Sequence, residues 1–474
     1  MDTRNFSENS KIVQDEQNQE KNQNQNALAV PQKDQYLITK NPLLALFIFF
    51  LPVALGNVFQ QFYNLVDSSI LGRFVSEQAL AAAAACLSFT NIFLFVGNGY
   101  GIGAGVVVGK YFGAGDYKNM KVVISTTFIT SFAMSLVLGA LGIAIARPVM
   151  VALQTPPDTI DMACLYLRIY FGGMPFVILY NVTAAMFNAL GKSKYPLFFL
   201  IISSLMNIGL DLLFVKSFES GIAGVAYATL ISQAFACLLS MSIFFLKLKK
   251  LKIGKTAFFS KMELLKITKI GLPSIFQQAT ISIGLMLIQS TINSFGSAAL
   301  AGYSVGARIE SLGSAVVIAC GASLSTFVAQ NLGAKKYKRI HQGYLAANLI
   351  VAIFCVLFFI FVLFFKNKLI YLMLGNDCSQ TAFDTAKQIL VFMSEVMCML
   401  GFKHTADGVV RGLGRMSMFT LGNLINIVIR VSFSKLMAPV IGMQAVWISN
   451  PIGWTASLVL CYLSYRRAKK QLGF

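Results

Sequence analysis

Asp67 and Asp211 are carboxylates set inside long apolar stretches of the first half of this chain, and the second half carries no acid at the matching places. A charge at membrane depth costs several kcal/mol on insertion scales, so it persists mainly where it handles ions, protons or a charged substrate. Carboxylate oxygens suit a hard cation, or a proton once a partner can accept the neutral form. Glu310, Lys403 and Arg430 add ionisable groups to apolar segments of the second half, and Asn64, Asn91 and Asn181 add amides to the first. Other chemistry finds little support. The two histidines, His341 and His404, and the eight cysteines form no CxxC pair and no zinc-ligand cluster. Nor does the chain carry a nucleophile elbow, a His-Glu-x-x-His motif, a Gly-rich phosphate loop or a Walker motif. An enzyme is therefore not expected, nor direct use of ATP.

The elements that must position these groups are membrane helices. With 56% hydrophobic residues, 12% charged residues and a mean hydropathy of +0.68, the 474-residue chain is too apolar for a soluble protein. Apolar spans fall at roughly 43–72, 78–108, 121–146, 163–189, 195–216, 221–246, 264–294, 298–330, 342–365, 387–411, 416–438 and 443–465. Each approaches or exceeds the ~20 residues that cross ~30 Å of hydrocarbon. The expected fold is an all-α polytopic membrane protein of about twelve transmembrane helices. A β-barrel would need ~10-residue alternating segments, which are absent.

The net charge of +20 sits in short runs between spans, so topology explains it better than nucleic acid does. Alternate loops hold Lys110, Lys118 and Lys121; Lys192 and Lys194; Lys247 to Lys255; Lys335 to Arg339; and Arg411 with Arg415. These loops are expected on the cytoplasmic side of a cell (inner) membrane, together with both termini. Residues 1–40, polar and rich in Asn and Gln without an apolar core, read as a disordered cytoplasmic tail and not a signal peptide.

A repeat of about 220 residues organises the spans. Gly109-Lys-Tyr-Phe-Gly-Ala-Gly-Asp-Tyr-Lys118 returns as Ala329-Gln-Asn-Leu-Gly-Ala-Lys-Lys-Tyr-Lys338, Leu51-Pro52 as Leu272-Pro273, and Leu190-Gly-Lys192 as Leu413-Gly-Arg415. Six spans per copy put both halves in one orientation, as two six-helix lobes related by a pseudo-twofold axis along the membrane normal. The division is 41–246 for the first lobe, 247–262 for a cytoplasmic linker, 263–466 for the second lobe and 467–474 for a short tail. A central cavity and alternating access by rocking of the lobes follow.

These residues resemble the multidrug and toxic compound extrusion family. The resemblance rests on Pro52, Tyr63-Asn-Leu-Val-Asp67, Gly72-Arg73, Gly113-Ala-Gly-Asp-Tyr117, Leu190-Gly-Lys-Ser-Lys194, Asn207-Ile-Gly-Leu-Asp211 and Gly224-Val-Ala-Tyr-Ala-Thr229, in that order. It implies an antiporter that exports organic, often cationic, drugs or metabolites in exchange for Na⁺ or H⁺. It also implies a cation site, of Na⁺ where that is the coupling ion, at Asp67, Asn207, Asp211 and Thr229. The i, i+4 spacing of Asn207 and Asp211 agrees, since it puts both on one helix face. Asp211 lies about fifteen residues, ~22 Å, from the cytoplasmic end of its span, in the outer half. No cofactor is implied beyond the coupling ion, and the partners are small organic substrates and the bilayer, with the chain acting as a monomer.

The second lobe departs from the first. A gapless alignment puts Arg430 near Asn207, whereas matching Asn426-Ile-Val-Ile-Arg430 to Asn207-Ile-Gly-Leu-Asp211 puts it on Asp211; either way a fixed cation replaces a cation-binding surface. Asn181, Glu310, Lys403 and Arg430 are candidates for a cavity or second-lobe polar site. Relatives that bind a cation in this lobe carry an acid near the place of Leu400, where this chain has none. The alternative reading is a lipid-linked saccharide flippase of related fold, for which Arg168, Arg308, Lys403 and Arg430 would meet a pyrophosphate.

Overall fold

The protein's structure, a computed structural model, describes residues 32–375 and 378–473. Residues 1–31 of the expected tail, and the side chain of Arg73, lie outside the described residues. The helices are α1 (Pro42–Phe74), α2 (Glu77–Ala114), α3 (Tyr117–Ala152), α4 (Pro157–Gly172), α5 (Met174–Ala189), α6 (Lys194–Leu212), α7 (Gly221–Lys250), α8 (Lys261–Asn293), α9 (Ser297–Gly333), α10 (Tyr337–Leu374), α11 (Gln380–Gly412), α12 (Met416–Ile441) and α13 (Gln444–Leu472). No strand occurs among the described residues. Among the described residues, eleven helices are long and apolar enough to span a membrane, and α4 with α5, bent by 51° about Gly173, makes a twelfth span. The sequence reads that span as one run, 163–189. The last helix continues to Leu472, through most of the segment read as a tail.

Local chemistry fixes the helix starts. Asn41, Ser76, Asp116, Ser260 and Ser379 each accept a first-turn backbone N–H with their side chains. Pro52 and Pro273 lie well inside α1 and α8, at equivalent places of the two lobes.

Two apolar cores form, and they do not divide the chain as the repeat does. One spans α2 to α7 and takes in Leu71 near the far end of α1 and Ile267 of α8. The other joins α9 to α13 and includes Ala45, Leu46, Phe49 and Phe50 of α1. The first helix of each lobe therefore leans its basic end on the other lobe. The second helix of each repeat is central: 61% of the apolar window of α2 and 67% of that of α9 is buried, against 22% for α10.

The two copies of the repeated loop motif meet at the basic end. A Cβ on Gly113 would overlap the carbonyl oxygen of Gln330, and one on Gly333 would overlap that of Lys110, so the backbones approach as only glycine allows. Gln330 Nε2 also donates to Ala189 O at 2.7 Å. Residues 32–39 form a short helical hook across the junction. Tyr36 Oη donates to Gly191 O (2.8 Å), Lys192 pairs with Asp34 (3.1 Å), and Arg339 donates to Lys40 O (2.6 Å) and Leu37 O (3.2 Å). Leu37 of the hook is fully buried. Among the described residues, inter-lobe hydrogen bonds run from this end to mid-depth, where Asn57 Nδ2 donates to Ala315 O at 3.1 Å, and stop there. Beyond that depth α1 turns to α6, through Tyr63 and Asn207, and α8 turns to α12, through Gly284 against Ile427. The lobes are joined at the basic end. Tyr36→Phe removes one strap and is expected to cost about 1 kcal/mol, seen as a modestly lower thermal midpoint in detergent.

Candidate functional site

The first-lobe site is assembled by α1, α6 and α7 in the half of the membrane away from the basic loops. Asp67 lies two turns from the end of α1, and Asp211 is the penultimate residue of α6. The next five residues, Leu213–Ser217, widen into a π-helical turn, a form that recurs where a helix re-aims side chains at functional sites. Asp211 is fully buried and Asn207 is 1% exposed.

The carboxyl groups of Asp67 and Asp211 are in hydrogen-bonding contact. Tyr63, one turn before Asp67 on α1, donates its hydroxyl to Asn207 Oδ1 at 2.7 Å, and Asn207 Nδ2 reaches Thr229 Oγ1 of α7 at 3.4 Å. With the amide turned over, its nitrogen donates to Tyr63 Oη (2.7 Å) and Asp211 Oδ2 (3.0 Å), while its oxygen accepts from Thr229 N (3.3 Å). The four residues singled out in the sequence thus come together. Oδ1 of Asp67 and Oδ1 of Asp211 are both buried without a protein donor. Two carboxylates in contact in a low dielectric cannot both stay charged without a positive partner, and two orphaned oxygens beside an amide and a hydroxyl are what a proton or a hard cation would satisfy. Tyr63 and Tyr166 also lie close to the acids, and the sequence by itself assigns them no role. The i−4 spacing of Tyr63 from Asp67 was the available signal.

The second lobe is built differently. The buried face of α6, Ser203, Ser204, Asn207 and Asp211, recurs on α12 as Gly422, Asn423 and Asn426, with Arg430 half-buried. That rhythm places Arg430 opposite Asp211. Arg430 interacts electrostatically with Glu310 and Tyr303, and its Nε is buried without an acceptor, as are the Oδ1 atoms of Asn426 and Asn450 without a donor. Glu310 accepts a hydrogen bond from Ser314. Lys403 is 2% exposed and tightly paired: its Nζ lies 2.6 Å from Asp407 Oδ2 and donates to Asn423 Oδ1 at 2.8 Å. Gln277 Nε2 donates to the same oxygen (3.2 Å), and Cys461 Sγ to Asp407 Oδ1 (3.3 Å). The network ties α8, α11, α12 and α13 together. Asn181 donates to Val177 O of its own helix at 2.9 Å and stays apart from all of these.

A buried ion pair is costly to break by halves. Lys403→Ala is expected to destabilise by about 3–5 kcal/mol, because it leaves Asp407 buried and unpaired, whereas Lys403→Met with Asp407→Leu should recover most of that loss. Thermal unfolding in detergent distinguishes the two. A small cavity of about 100 Å³ lies between the lobes in the basic half, lined by Phe49, Val53, Asn188, Ser325, Thr326 and Arg411.

Known proteins resemble this chain along most of its length. The MatE family model matches residues 52–213 and again 273–436, once in each half. The probable multidrug resistance protein YpnP of Bacillus subtilis is 28% identical over 427 residues, covering 90% of this chain and 95% of its own. The multidrug export protein MepA of Staphylococcus aureus is 24% identical, covering 64% and 67%. Among solved structures, an outward-facing multidrug resistance MATE transporter superposes with a TM-score of 0.84 at 20% identity, over 92% of this chain and 98% of that one. A MOP superfamily transporter of Pyrococcus furiosus gives 0.85 at 19%, over 93% and 98%. With a paired family match laid over a duplicated twelve-span fold, the chain is an integral membrane protein belonging to the MatE family of multidrug and toxic compound extrusion transporters.

Proposed function

We propose that the protein is a secondary active antiporter that exports organic, often cationic, small molecules in exchange for Na⁺ or H⁺. The observation that carries this reading is the contact between Asp67 and Asp211, with two orphaned carboxylate oxygens in a site that also holds the hydrogen-bonded Tyr63, Asn207 and Thr229. A proton would bridge the acids; Na⁺ would take oxygens from Asp67, Asn207, Asp211 and Thr229. Either ion cancels the negative charge that a cationic substrate needs, so ion and substrate compete. A ligand shifts a conformational equilibrium only by its differential affinity for the two states, and this competition supplies the difference.

The basic end is the cytoplasmic end by the distribution of Lys and Arg. A molecule joined there and parted at the other end keeps the buried acid pair in the half nearer the outside, where the driving ion is abundant. Both termini then lie in the cytoplasm, the membrane is the cell membrane, and one chain with its two lobes suffices for the cycle. The relatives named for multidrug export and resistance support the substrate class. In the second lobe, Arg430 lies within electrostatic range of Glu310 and puts a fixed positive charge where a coupling ion would sit, so no coupling ion is assigned there.

The test is dye efflux from energised vesicles while the Na⁺ and pH gradients are collapsed separately. Loss of efflux with one of the two identifies the ion. Undiminished efflux with both collapsed would end the antiport reading.

A further inference from the structure

We propose that the cleft between α8, α12 and α13 at the basic end is a binding site for a phosphate group, carried by an anionic phospholipid. The cleft is a cavity of about 470 Å³ that brings together Lys269 of α8, Arg415 at the start of α12 and Arg467 of α13, with no acid among its lining residues. A volume of ~300–1,000 Å³ is usual for a small-ligand site. None of the three cations is in an ion pair among the described residues. Arg415 donates to Gln471, which holds the guanidinium while leaving its other donors free. Ser464 is 4% exposed and lines the cavity. It adds a neutral hydroxyl donor to the lining. The first turn of α12 adds backbone N–H groups, which no side chain caps and no acid neutralises.

The surroundings favour a lipid over free phosphate. Toward mid-membrane from the three cations, the same helices expose Leu272, Phe276, Leu421 and Leu463. Acyl chains hanging from a phosphate in the cleft would lie on this face. Basic pockets between membrane helices on the cytoplasmic side suit anionic headgroups, and each Lys or Arg near such a surface contributes about a fivefold gain. Lys249 and Lys250, in the last turn of α7, offer charge outside the cleft, and so serve as the control.

The purified full-length chain is placed in nanodiscs of phosphatidylcholine with or without phosphatidylglycerol, and lipid retention is read by native mass spectrometry. Wild type is expected to retain phosphatidylglycerol over phosphatidylcholine. Lys269→Gln should weaken that preference about fivefold, and Lys269→Gln with Arg415→Gln and Arg467→Gln on the order of a hundredfold. Ser464→Ala, which leaves the charge unchanged, should weaken it by less, and Lys249→Gln with Lys250→Gln should not change it. Inorganic phosphate should not displace the lipid. Unchanged retention in both the triple variant and Lys269→Gln would overturn the site, as would equal loss in the α7 control, which marks diffuse surface charge. Displacement by inorganic phosphate at matched concentration would overturn the lipid assignment. Should the triple variant fail to fold, Lys269→Gln and Ser464→Ala still decide the matter, since one is exposed and the other nearly isosteric.

Discussion

Asp67→Asn and Asp211→Asn are each expected to reduce gradient-driven efflux to the level of passive leak while leaving the folded protein in the membrane. Asn is close in size to Asp, so packing around α1, α6 and α7 is preserved. It carries no titratable proton and no charge, so neither a bridging proton nor a bound Na⁺ retains its main partner. Allosteric couplings of this kind amount to about 5–150-fold in affinity, and losing the coupling removes that whole factor. The neutral variants should also bind cationic dyes more weakly, because the same carboxylates provide the attraction. Wild-type efflux from vesicles bearing either variant at equal expression would sink the assignment of the first-lobe site. Tyr63→Phe is the milder companion. It takes one donor from Asn207 and leaves both acids, so transport should fall but persist.

The second large effect is expected at the junction of the repeated loops. Gly113→Val or Gly333→Val puts side-chain carbons where the carbonyl oxygens of Gln330 and Lys110 now sit. Overpacking of this sort costs typically ~1–3 kcal/mol, and here the obstacle is backbone on both sides, so the closed basic end must open to relieve it. Every 1.4 kcal/mol is about tenfold in population, so the balance between the joined state and one open at the basic end should move by roughly 5–150-fold. A cysteine placed at Asn331, which is buried under the hook, should then react with a membrane-impermeant thiol reagent from the basic side at a correspondingly faster rate. Efflux should fall as well, because a transporter held in one state does not cycle. Unchanged labelling in a stably folded Gly113→Val protein would mean that the two loops do not form the closure.

The two glycines also show what the sequence could convey. Repetition of the loop motif was visible, and with it the twofold plan and the existence of two lobes. That the copies touch each other was not, because nothing in a local pattern says which backbone will approach which. The acid pair was legible for a physical reason: charge inside an apolar run is expensive, so its presence needs a use. The π turn after Asp211 was not legible, since Leu-Phe-Val-Lys-Ser has no composition that marks it. Lys403 and Asp407 stood at the i, i+4 spacing that lets them pair on one helix, and the structure draws in Asn423 and Gln277 from two other helices. Residues 32–40 read as part of a polar tail, yet Leu37 and Ile38 are buried between the lobes. Two apolar residues were too few to show as a pattern. The basic cleft joins Lys269, Arg415 and Arg467 from distant parts of the chain, so only the packing of α8 against α12 and α13 reveals it.

The central claim is that coupling resides in the Asp67–Asp211 pair. Its most direct measurement is the release of cation when substrate binds to the purified protein. A cationic dye such as ethidium is added to the detergent-solubilised chain in weakly buffered solution, and liberated protons and Na⁺ are recorded by a pH indicator and a Na⁺-selective electrode. Release of one of these ions from wild type, saturating with dye and abolished in both Asp67→Asn and Asp211→Asn, is the result expected. Equal release from the Asp211→Asn protein, or dye binding to wild type without release of either ion, would contradict it.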